Sequence, residues 1–66
     1  MFEVFERDSR LKKNVLANHA SFEVAKDFVN SLGVVMLEDD KDYSGCADAF
    51  LNDGRVVAVQ PVGFKV

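Results

Sequence analysis

The stretch from Ser21 to Gly33 allows one local structure and thereby limits what the rest of the chain can be. Phe22, Ala25, Phe28, Val29 and Leu32 recur at spacings of three and four, while Glu23, Lys26, Asp27 and Asn30 fall on the opposite side. This is the period of an amphipathic helix. Both ends are marked: Ser21 can accept a hydrogen bond from the free backbone N–H groups of the first turn, Glu23 and Asp27 lie toward the positive end of the dipole, and Gly33 can adopt the left-handed conformation that stops a helix. A helix this short has one apolar stripe, and the other segments must cover it.

Those segments read as strands. Met1 to Arg7 alternates imperfectly, with Phe2 and Val4 on one face and Met1 and Phe5 on the other. A polar turn at Arg7-Asp8-Ser9-Arg10 leads to a second strand from Leu11 to Ala17, in which Leu11, Val15 and Ala17 are in phase and Leu16 is apolar out of phase. After Gly33, the continuous run Val34-Val35-Met36-Leu37 predicts a central strand buried on both faces. The polar stretch from Glu38 to Gly45 predicts the longest loop. Cys46 to Leu51 and Arg55 to Gln60 predict two strands joined at Asn52-Asp53-Gly54, where the Asp-Gly pair suits a tight type I′ turn. A short helix at Ala47 to Leu51 is the competing reading, because alanine favours helix. Pro61 is expected to end the last strand's hydrogen bonding, leaving a tail from Val62 to Val66 with apolar residues at alternate positions.

The order strand, strand, helix, strand, strand, strand predicts an α+β fold in one domain spanning residues 1–66: a small, mostly antiparallel sheet with one amphipathic helix packed across one face. The helix covers only that face. If Phe5, Leu16, Val56 or Ala58 lie on the other, an apolar patch is left there, and such patches on small domains mark a partner or a homodimer contact.

At 66 residues the chain is near the lower limit for a core without disulfides or metal. Its single cysteine, Cys46, excludes an internal disulfide framework and predicts a reducing, cytoplasmic setting. No run approaches the roughly 20 apolar residues of a membrane span, and the first residues lack the basic-then-apolar order of a signal peptide. Net charge is −3, and the acidity is local: residues 34–54 carry six acids against Lys41 alone. That field disfavours direct contact with a phosphate backbone and favours a basic protein partner or a cation.

The acidic segment is the candidate site. Glu38, Asp39, Asp40, Asp42 and Asp48, with Tyr43 among them, offer charge-assisted contacts to Arg and Lys and one aromatic anchor, so these six residues are the expected partner-binding set. Residues 40–48 also resemble a calcium-binding EF-hand loop, with oxygen donors at its positions 1, 3, 5 and 9 and a glycine at position 6. The twelfth position, which should be a bidentate glutamate, is Leu51, and the preceding run reads as strand. Small acidic proteins that inhibit nucleic-acid-binding machinery, such as phage-encoded anti-CRISPR proteins, are similar to this chain in size and charge, with no shared motif.

The remaining signals carry less. Cys46 and His19 would need a third, orienting group to act as nucleophile and base, and the sequence names none. The basic residues Arg7, Arg10, Lys12 and Lys13 are interrupted by Glu3, Glu6 and Asp8, unlike a nucleic-acid footprint. The expectation is a non-enzymatic interaction protein without cofactor or metal, contacting a basic surface on a larger protein or complex. As an inhibitor or regulator of a nucleic-acid enzyme it would bind neither nucleic acid nor membrane. A homodimer through the open sheet face is the second reading, and a calcium-binding module the third.

Overall fold

A computed structural model describes residues 1–7 and 13–64. The polar turn at Asp8-Ser9-Arg10 and the Leu11 start of the second strand lie outside the described residues, as do Lys65 and Val66. The elements follow the expected order: β1 (Phe2–Arg7), β2 (Lys13–His19), α1 (Phe22–Asn30), β3 (Val34–Asp39), β4 (Ala47–Leu51) and β5 (Val56–Pro61). The five strands form one antiparallel sheet in the order β2-β1-β5-β4-β3, and α1 packs on one of its faces. The fold is α+β. Residues 47–51 are strand, because Ala47 and Ala49 alternate inward between Asp48 and Phe50 and tertiary pairing overrides the helical preference of alanine.

The helix begins and ends as its residues require. Ser21 is extended and its side chain accepts from the Val24 N–H at 3.1 Å. At the other end Ser31 Oγ donates to the Phe28 carbonyl, and Gly33, at φ +89°, turns the chain into β3. Ala25 and Val29 are fully buried, and Phe22, Phe28 and Leu32 pack around them, so the five positions read from the period all face the sheet. Against them lie Val4, Val57 and Val59 from the central strands, with Ala47, Ala49 and Leu51 from β4. Each fully buried valine contributes roughly 1.5–3 kcal/mol relative to exposure.

Two strand bulges explain where simple alternation misleads. Val4 pairs with Ala17 but Phe5 with Val15, so Leu16 is an extra residue in β2 and packs on the core. Leu16 therefore belongs to the helix-covered face. In β3, Val34 pairs with Leu51 and Met36 with Phe50, leaving Val35 unopposed and 69% exposed. The expected central position of Val34 to Leu37 is thus incorrect. β3 is an edge strand, because α1 carries the chain from the β2 edge to the opposite edge while β5 inserts between β1 and β4. Its apolar density reflects a bulge, with Val34 and Leu37 turned to the core and Met36 to the other face.

The hairpin at residues 52–54 forms, but not as a two-residue type I′ turn. Gly54 donates to the Leu51 carbonyl at 3.0 Å, Leu51 donates to Arg55 at 2.9 Å, and Gly54 has φ +91°, which is the three-residue loop class. Pro61 does not end the pairing either. It lies opposite Phe2, and Val62 donates to the Met1 carbonyl at 2.9 Å. β4 stops at Ala47 opposite Val59, so no neighbour there requires the N–H that proline lacks.

Candidate protein-binding face

The face of the sheet away from α1 carries two cross-strand rows. One runs Val15, Phe5, Ala58, Asp48, Glu38, and the next runs Lys13, Arg7, Val56, Phe50, Met36. The face is bipolar: apart from the buried Glu3, which pairs with Lys13, its cations stand on β1 and β2 and its acids on β3 and β4. Both cations are engaged within the chain. Lys13 pairs with the buried Glu3 and lies 4.9 Å from the Phe5 ring centroid, and Arg7 approaches Asp48 at 3.8 Å. Glu38 forms no ion pair among the described residues. Beside it Met36 and Phe50 are 45% and 44% exposed.

The six acidic-segment residues divide into three groups. Glu38 and Asp48 are register partners on this face and line an open cleft of about 440 Å³ with Asp39, Asp40 and Lys41. Asp39 is committed elsewhere: it lies opposite Ala47, on the helix side, and Lys26 Nζ donates to both its oxygens at 3.3 and 3.2 Å. Burial pulls the Lys26 pKa down, but the hydrogen bonds to Asp39 and Glu23 outweigh it and leave it raised. The amphipathic period put Lys26 on the solvent side, yet its ammonium lies 4.4 Å from the Phe22 ring centroid and clips α1 to β3.

Asp40 organises the loop. Its Oδ1 accepts from the backbone N–H of Asp42 at 2.8 Å and Tyr43 at 3.1 Å, and its own N–H donates to the Cys46 carbonyl at 2.8 Å. Gly45 completes the closure at φ +85°, where an added Cβ would stand 2.9 Å from the Phe2 ring. Asp42 is exposed with no partner among the described residues. Tyr43 meets the Phe64 ring edge-on at 5.4 Å and 76°, which gives the apolar tail its surface within the same chain. Met36, Phe50 and Phe64 were not expected at this site. Alternation from Asp48 to Phe50 could have placed the second of them.

Two other chemistries lack geometry. His19 packs tilted against Phe28 of the helix, ring centroids 5.3 Å apart, whereas Cys46 lines a pocket on the opposite face, so they form no nucleophile–base pair. Residues 40–46 connect two antiparallel strands rather than two helices, and among the described residues no group of three or more His, Cys, Asp or Glu could hold a metal ion. Among those residues no helix is long and apolar enough to cross a membrane. The chain matches no protein-family model, and no curated protein or solved structure is significantly similar to it.

Proposed function

We propose that this chain is a small non-enzymatic interaction protein that docks onto a basic surface of a larger protein through the β3–β4 half of its open sheet face. The observation that carries the reading is the Glu38–Asp48 pair. Like charges directly opposite each other destabilise a sheet, and here they sit on adjacent strands beside exposed Met36 and Phe50. A partner's Arg or Lys turns that local cost into charge-assisted contacts, with the two apolar side chains as the desolvated centre. Such a surface suits a site that otherwise holds a phosphate backbone, so inhibition or regulation of a nucleic-acid enzyme is the form of the activity we favour.

The test is capture from nuclease-treated lysate of the natural host with wild type and a Glu38→Lys, Asp42→Lys variant. Neither carboxylate holds the fold, unlike Asp39 and Asp40. A complex retained by wild type and lost by the variant supports the reading; equal retention by both removes it. Self-association is a second reading, favoured by the bipolar face: a twofold axis along the strands sets Lys13 and Arg7 of one copy toward Glu38 and Asp48 of the other. It ranks lower because both cations already have partners within the chain.

A further inference from the structure

Next to the cleft, the same face holds a smaller pocket of about 110 Å³. Two aromatic residues line it, Tyr43 from the loop and Phe64 from the tail, together with the carboxylates of Asp40 and Asp48. Arg7, Cys46, Ala58 and Gln60 are also among its lining residues. The volume is well below the roughly 300 Å³ at which pockets begin to take cofactors or drug-sized ligands, and it suits a side-chain head group.

We propose that this pocket receives the guanidinium of an arginine presented by the partner protein. The inference rests on the acidic-face reading and names the group recognised there. Asp40 and Asp48 bring two negative charges and Arg7 one positive, so one further cation brings the lining to neutrality. Arg7 forms an ion pair with Asp48 at 3.8 Å but stands beyond hydrogen-bonding distance, so the Asp48 oxygens keep their acceptor capacity for a second guanidinium. The β4 backbone places Asp48 at the pocket, and Asp40 is pre-organised, held through Oδ1 by two backbone N–H groups while Oδ2 has no partner among the described residues. The thiol of Cys46 registers the field, its pKa pushed up by burial and then by Asp40 and Asp48.

Arginine fits better than lysine for two reasons. A guanidinium is planar, presents a fork of donors and stacks against aromatic rings, and it is more weakly hydrated than an ammonium. Tyr43 and Phe64 offer two ring surfaces at a steep angle, so a planar cation can lie along one and against the edge of the other.

The experiment is an amide-resonance titration of the full chain at about physiological ionic strength with hexa-arginine and, separately, hexa-lysine. Shifts at Tyr43, Cys46, Asp48 and Phe64 are expected with hexa-arginine, at about tenfold lower concentration than with hexa-lysine. Tyr43→Ala and Phe64→Ala are each expected to remove that preference without changing the spectrum of the sheet. Asp48→Asn is expected to weaken hexa-arginine binding about tenfold. Equal response to the two peptides, confined to Glu38 and Asp42, overturns the pocket and leaves the acidic face standing. No shift from either peptide at millimolar concentration overturns both.

Discussion

The two faces of this sheet use the same strands for different ends. Under α1 the core is built of apolar residues, and Val4, Val29, Val57 and Val59 are fully buried. On the other face apolar and charged residues adjoin at the solvent: Met36 beside Glu38, Phe50 beside Asp48, Val56 beside Arg7. A stable 66-residue domain needs the first face. The second face adds burial only around Phe5 and Ala58, and at its β3–β4 end the Glu38–Asp48 opposition works against stability.

Substitutions can break the comparison, and the largest effect belongs to the covered face. Val57→Asp places an unpaired carboxylate under the helix, at a cost comparable to the whole stability of a domain this size, about 3–10 kcal/mol, so the variant should be unfolded by circular dichroism. A folded, cooperative variant would mean that α1 does not seal the core. Phe50→Ser on the open face should change urea stability by less than about 1 kcal/mol. Gly45→Ala should cost about 1–3 kcal/mol, through positive φ and the clash with Phe2, and disorder the loop that positions Asp40. Removing the helix cap with Ser21→Ala should cost about 1 kcal/mol, an effect confined to the covered side.

Glu38→Gln should move the other way, raising stability by about 0.2–1 kcal/mol while weakening partner capture. A loss of stability there would show that Glu38 is structural. The smallest effect is a pH dependence. Because Cys46 has a raised pKa, the native chain binds that proton more tightly than the unfolded chain, so its stabilisation is complete below the unfolded thiol value and is lost as pH rises through the native one. Alkylation at mildly alkaline pH should accordingly be slower than in the urea-unfolded chain, and Asp48→Asn should accelerate it.

The covered face was legible in the sequence because α1 has a clean period and both caps are local. The element order followed from the turn residues. The position of β3 was not legible: Val34 to Leu37 reads as a doubly buried strand, and only the unopposed Val35 shows that the run contains a bulge. Leu16 misled for the same reason in β2. The acidic segment was visible as charge, but charge does not say which carboxylates are occupied. Asp39 is bound by Lys26 thirteen positions away in sequence, and Asp40 caps its own loop. Only pairing across strands shows that Glu38 and Asp48 face each other next to Met36 and Phe50.

Whether the open face meets a foreign cation or a second copy of itself is decided most directly by sedimentation equilibrium of the purified chain at tens of micromolar, with Phe50→Ser alongside. The account predicts a monomer for both, since Arg7 and Lys13 are engaged within the chain. A concentration-dependent dimer that Phe50→Ser dissolves would contradict it and assign the face to self-association.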